Sequence, residues 1–140
     1  MTGACQAGPL RDGDGDGHVD PLCGGDDCND ANSQVWFVPF EVTNLLLTTS
    51  SPANPSWDSQ GSLVGPETQY DLVSGSVGPL TGLNFSTGTC LQSSGPNSFS
   101  DGRPDPAVDT SFWYLSRARN SCGTGTYGTP QRDTSIPACP

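Results

Sequence analysis

The sequence predicts an all-β fold with many turns, preceded by an irregular acidic segment, and three observations predict it. Eighteen glycines and 13 prolines in 140 residues require frequent turns. No window longer than about ten residues keeps a helical apolar stripe free of Gly or Pro, while several short runs alternate apolar and polar side chains. Seven of the 13 aspartates fall between Asp12 and Asp30, where almost nothing is apolar, so this part of the chain cannot build a core of its own. The character changes at Val35-Trp36-Phe37-Val38-Pro39-Phe40, the first dense apolar run. The expected division is residues 1–36, an Asp-rich calcium-binding segment, and residues 37–140, the β domain.

In chain order, Glu41 to Thr49 reads as a first strand, with Val42 and Leu45 to Leu47 as its apolar positions. Ser51-Pro52-Ala53-Asn54-Pro55 reads as a turn, because each proline lacks a ladder donor and restricts the residue before it. Trp57 follows in a short second strand. Gln69-Tyr70-Asp71-Leu72-Val73 alternates with Tyr70 and Leu72 on one face. Leu80 to Phe85 and Thr89 to Leu91 are weaker strand candidates, and Pro96 to Pro106 is a loop by its turn chemistry. The clearest strand is Ser111 to Asn120. One face carries Phe112, Tyr114, Ser116 and Ala118, and the other passes from Trp113 and Leu115 to Arg117 and Arg119, so the first set is expected inside. Cys122 to Gly125 is a turn, Thr126 to Thr129 begins a final strand, and Ile136 to Pro140 closes the chain.

The acidic segment carries the chemistry. Asp12, Asp14, Asp16 and Asp20 stand at positions 1, 3, 5 and 9 of a calcium loop, with Gly17 at position 6 where the chain must turn sharply. Carboxylates at alternate positions can wrap one hard cation, and the intervening glycines reach positive φ at little steric cost. His18, at position 7, would offer its backbone carbonyl. Position 12 is Cys23 rather than a bidentate glutamate, and the flanks are rich in Gly and Pro, so the loop is not an EF-hand. Asp27 and Asp30 are the next ligands expected, and Ca2+ is the expected ion. Magnesium is disfavoured because it keeps its waters and takes fewer protein carboxylates.

Six cysteines without zinc-type pairing predict disulfides and an oxidising, extracellular or cell-surface location. Four residues separate Cys23 from Cys28, which predicts a local bridge, while the pairing of Cys5, Cys90, Cys122 and Cys139 stays open. Met1 to Cys5 lacks the basic and apolar regions of a signal peptide, so the expectation is a mature piece of a longer precursor. A formal charge of −10, with five arginines and no lysine, argues against nucleic acid and anionic membrane as partners. No stretch approaches the ~20 apolar residues of a membrane span. Asp101, Asp105 and Asp109 share one loop and could be imagined as a carboxylate pair for glycoside hydrolysis, but beside Pro104 and Pro106 they read as turn formers. Asn84-Phe85-Ser86 matches the N-glycosylation pattern.

Two resemblances follow from these residues. Ala118-x-Asn120-x-x-Gly123-x-Gly125, preceded by Phe112 and Tyr114, resembles the penultimate strand and turn of fibronectin type III domains, with Trp57 and Tyr70 as core aromatics. The resemblance spans about residues 40 to 132, although Ser116 stands where a branched apolar residue is usual. It implies a seven-stranded, two-sheet Greek-key sandwich packed around Trp57, Tyr70 and Tyr114. The D-x-D-x-D-G stretch, followed by Asp27-Cys28-Asn29-Asp30 and the exit Trp36-Phe37-Val38-Pro39, resembles thrombospondin type 3 calcium repeats and the similar repeats of bacterial surface proteins related to MopE. Together they imply a non-catalytic extracellular module of a bacterial surface fibre or adhesin, rigidified by calcium. Its expected partners are further copies of itself, as a homopolymer, or neighbouring domains, joined through the N-terminal segment and sandwich edges. The alternative is a carbohydrate-binding, adhesive accessory module of a secreted enzyme, with glycans as partners and Trp113 as the contact.

Overall fold

The computed structural model describes residues 11–50 and 52–140, with Thr49 and Ser50 as backbone only. Among the described residues six strands, rather than the seven implied, form two antiparallel sheets, and the helices are few and short. The strands are β1 (Leu46–Ser50), β2 (Ala53–Ser56), β3 (Gln69–Val77), β4 (Thr89–Gly95), β5 (Ser111–Asn120) and β6 (Gly123–Thr124). The helices are α1 (Gly61–Val64) and α2 (Pro130–Ser135). One sheet pairs β1 with β2, and the other runs in the order β4-β3-β5-β6. This arrangement is consistent with a β-sandwich.

β3 is the centre of the larger sheet because both of its faces can be buried. Tyr70 and Leu72 turn to one side, and Asp71, Val73 and Gly75 to the other, all of them buried. Its register with β5 is unbroken from Gln69 opposite Arg119 to Val77 opposite Ser111. On the first face Tyr70, Leu72 and Ala118 meet Trp57, with Val42, Leu45, Leu91, Phe99 and Tyr114 packed around them. Trp57 meets Tyr70 edge-on at 5.8 Å between ring centroids. The aromatic core predicted around Trp57, Tyr70 and Tyr114 is therefore in place.

The second face is also a core. Val73, Tyr127, Ile136 and Cys139 are buried there, with Phe85, Trp113 and Leu115 against them. The expectation that only the Phe112 set of β5 faces inward is thus corrected. Arg117 and Arg119 fit this face because the carboxylate of fully buried Asp71 lies 3.2 Å from Arg117 Nη2 and 3.4 Å from Arg119 Nη1. Trp113 is half-buried, edge-on to Phe85 and pressed over Gly75 and Gly88, where an added Cβ would come within 2.6 Å of its indole. The outward-facing Trp113 expected for glycan contact is not what the fold provides.

Other boundaries shift for local reasons. β1 starts at Leu46 because Asn44 takes positive φ and, with Thr43, hydrogen-bonds Asp58. The proline-rich segment expected as a turn contributes β2, whose free edge is bridged by Ser98 and Asp101 from the following loop. Leu80 to Phe85 forms no strand; a short 3-10 turn, Phe85–Thr87, is capped by Asn84 instead. After the two-residue β6 the chain leaves the sheet, so Thr126 to Thr129 is not a strand. Thr129 caps α2 by accepting from Arg132 N, and Pro130 opens that helix.

Two disulfides join described residues: Cys90 to Cys139, which pins the C-terminal segment over the second face, and Cys28 to Cys122, with Cα atoms 5.3 and 5.7 Å apart. The local Cys23–Cys28 bridge is therefore corrected. Cys28 reaches the β5–β6 turn, 94 residues away in sequence, and Cys23 is disulfide-bonded separately. Cys5 lies outside the described residues. The disulfides accord with an oxidising environment. Among the described residues no helix is long and apolar enough to cross a membrane.

Candidate metal centre

Carboxylates hold the acidic segment in shape, Asp12 with both of its oxygens and Asp14, Asp16, Asp27 and Asp30 with one each. Asp12 accepts from Gly15 N at 2.8 Å with Oδ1 and from Gly17 N at 3.0 Å with Oδ2. Asp14 Oδ1 accepts from Asp16 N at 3.1 Å, and Asp16 Oδ1 from His18 N at 2.8 Å. These are Asx turns, in which the side chain replaces a backbone acceptor. Gly15 and Gly17 take φ of 79° and 95°, the conformation their positions were expected to require. Asp27 Oδ1 accepts from Asn29 N at 2.8 Å, and Asp30 Oδ1 from Gly13 N at 2.7 Å, which ties the second half of the segment to the first.

Carboxylate oxygens of Asp12, Asp14 and Asp16 lie within 4.8 Å of one another, a group that could hold a metal ion. Asp14 Oδ2, Asp16 Oδ2 and Asp27 Oδ2 are each buried without a hydrogen-bond partner. Asp27 is fully buried, and its carboxyl is pushed above the usual range, first by burial and then by the charges of Asp16, Asp14 and Asp30. Buried carboxylate oxygens that lack donors call for a cation. The donor set is all oxygen, which fits a hard ion.

Two further residues of the expected set make other contacts with their side chains. Asp20 Oδ1 caps the 3-10 turn Pro21–Cys23 by accepting from Leu22 N at 2.7 Å, and Asp20, like Asp27 and Asp30, lies outside the Asp12, Asp14, Asp16 group. The His18 ring lies parallel to Trp36, 4.7 Å between centroids, with Nδ1 3.1 Å from Asp26 Oδ2. Its side chain is thus a packing element, consistent with a role confined to its backbone. Asp26 and Trp36 were not anticipated in this role; an aromatic at the segment's exit was the only signal.

The centre is anchored to the sheets. Cys28 N donates to Trp36 O and Trp36 N to Val64 O, while Trp36 Nε1 donates to Leu63 O at 2.9 Å. Gly65 packs so closely on Gln34 and Val35 that a Cβ there would come within 2.4 Å of Gln34 O.

The loop aspartates considered for hydrolysis are dispersed in role. Asp101 is buried, held by Arg103, whose Nε lies 2.9 Å from both carboxylate oxygens, and by Tyr114 Oη at 2.8 Å. That pairing lowers its carboxyl to about 2. Asp105 and Asp109 are exposed. The chain matches no protein-family model, no curated protein and no solved structure.

Proposed function

We propose that this chain is a non-catalytic, calcium-stabilised structural module of an extracellular assembly. The observation that carries the reading is the set of three buried, unpartnered carboxylate oxygens of Asp14, Asp16 and Asp27 beside Asp12. Asp12, Asp14, Asp16, Asp27 and Asp30 would hold the ion, whose contribution is charge neutralisation and a fixed loop. Because coordination and ordering are coupled, calcium would convert a self-repelling segment into a rigid joint in front of the sheets. The disulfides favour an extracellular site. The finer reading, a fibronectin type III-like unit of a bacterial surface fibre or adhesin, rests on the resemblance of the β5–β6 region and of the Asp-rich repeat.

Calorimetric titration of the intact, oxidised chain with calcium tests it. The parent should bind and gain thermal stability, and an Asp14→Asn, Asp16→Asn variant should lose both. A parent that shows neither heat nor a melting shift would overturn the reading.

A further inference from the structure

The connection between β3 and β4 carries a motif far from the metal centre. Asn84-Phe85-Ser86 is the one place in the chain where asparagine stands two residues before serine or threonine without proline between them. Asn54-Pro55-Ser56 is barred by its proline. The chain leaves β3 in a tight turn, in which Gly82 N donates to Gly78 O at 2.9 Å. Asn84 follows with an extended backbone, and both Asn84 and Ser86 are exposed.

The residue between them holds them outward. Phe85 is half-buried against the second core, edge-on to Trp113 at 5.4 Å between ring centroids, with the Arg132 guanidinium carbon 5.4 Å from its ring centre. Asn84 Oδ1 accepts from Ser86 N at 3.0 Å and from Ser86 Oγ at 2.7 Å. Asn84 Nδ2, which carries two N–H groups, has no partner among the described residues. Capping of the 3-10 turn accounts for the bond from Ser86 N alone. The hydroxyl bond and the free amide nitrogen are what a modified asparagine needs in addition, because donors on Oδ1 draw charge to the oxygen and make the Nδ2 protons easier to remove. Asn84 also lines an open groove of about 390 Å³ with Ser76, Thr81, Gly82 and Thr87. That is within the range of small-molecule sites, and a groove walled by hydroxyls, with no charged side chain, suits a sugar ring.

We propose that Asn84 is the acceptor of an N-linked glycan whose first sugar lies over this groove. The donor is a sugar carried on a lipid diphosphate and delivered by a transferase of the host. Nδ2 attacks the anomeric carbon, the N–C bond forms, the C–O bond to the diphosphate breaks with its electron pair leaving on the diphosphate, and Nδ2 gives up one proton. The disulfides accord with the oxidising compartment through which an exported chain passes. The product is a bulky, solubilising group next in sequence to Leu83, which is 58% exposed, and close to Leu80, which is 98% exposed. The inference rests on the extracellular location in the reading above and not on calcium.

The test is peptide mapping by mass spectrometry of the protein recovered from the exterior of its natural host. The peptide that holds Asn84 should carry a glycan, while those that hold Asn54 and Asn120 carry none. In the same host, Ser86→Ala should lower occupancy at Asn84 at least tenfold, and Ser86→Thr, which keeps the hydroxyl, should retain it. The proposal fails if Asn84 of the exported protein is unmodified, if Ser86→Ala keeps its glycan, or if Asn54 is modified to the same extent. A chain found only inside the cell would overturn the location and the proposal together. An exported chain with a bare Asn84 that still binds calcium would overturn the proposal alone, and a glycosylated chain that binds no calcium would overturn the metal centre alone.

Discussion

Replacing Asp14 by asparagine should change stability in opposite directions with and without calcium. Carboxylate oxygens of Asp12, Asp14 and Asp16 lie within 4.8 Å of one another. At that separation each pair of charges repels by about 1 kcal/mol in a water-like dielectric, and by about 3 kcal/mol at an effective dielectric near 20. The side chains are half-buried at a loop surface, so the lower figure is the safer one. Asp14→Asn removes two of the three pairs. Asparagine Oδ1 can still accept from Asp16 N, so the Asx turn survives. In EDTA the variant should therefore be more stable than the parent by about 2 kcal/mol, a melting gain of roughly 6–10 °C for a chain of this size. With calcium at a thousandfold excess over its Kd, the parent gains about 4 kcal/mol. The variant would place an amide where the unpartnered Asp14 Oδ2 now stands, and should gain almost nothing. The order of melting temperatures inverts between the two buffers, and circular dichroism melts with EDTA or calcium read this directly. A variant less stable than the parent in both buffers would falsify the account of a repulsive centre relieved by a cation.

Other consequences follow from the fold. Asp101, lowered to about 2 by Arg103 and Tyr114, contributes stability that is complete above pH 4 and lost as pH falls through 2. The loss is about 2 kcal/mol, so acid titration in EDTA should show a steeper decline for the parent than for Asp101→Asn. Tyr127, pushed up to about 12 chiefly by burial, favours the fold below pH 10 and loses that contribution as pH rises through 12. Tyr127→Phe should abolish this alkaline loss, with stability at pH 7 equal to or slightly above that of the parent, because the hydroxyl is buried unpaired. Gly65→Ala meets backbone atoms of Gln34 and Val35 at 2.4 Å and a φ of +121°, and should cost roughly 2–4 kcal/mol in urea unfolding. A cost below about 0.5 kcal/mol would show that the acidic segment does not pack on α1 as described.

The parts legible in sequence are those set by short periods. The period-two patterns of β3 and β5 placed Tyr70, Leu72 and Ala118 on one face, where they are buried. The Asp spacing brought Asp12, Asp14 and Asp16 together, since Asx turns are local. Long-range pairing was not legible: the nearest cysteine to Cys28 is Cys23, yet its partner is Cys122. The second core was hidden for a similar reason. Arg117 and Arg119 make that face of β5 look solvent-exposed until Asp71, directly opposite Arg117, is seen to neutralise them. Asp20 Oδ1 also caps a 3-10 turn by accepting from Leu22 N, a use that the calcium-loop spacing does not reveal.

The wiring between the metal centre and the sheets decides what ion binding could accomplish. Asp27, fully buried with one carboxylate oxygen unpartnered, adjoins Cys28, which is bonded to Cys122 at the end of β5. His18, whose N–H caps Asp16, stacks on Trp36, and Trp36 is hydrogen-bonded to Leu63 O and Val64 O beside α1. Two routes, one covalent and one through packed rings and backbone bonds, thus lead from the carboxylates to separate points on the sheet domain. A loop attached at one point could order without consequence for its neighbour, because rotation about a single tether absorbs the change. Attachment at two points removes that freedom, so ordering the loop also fixes the direction in which the acidic segment leaves the sheets. On the proposed reading, such geometry would suit a fixed joint better than a sensor, which requires a bistable element that the ion can shift.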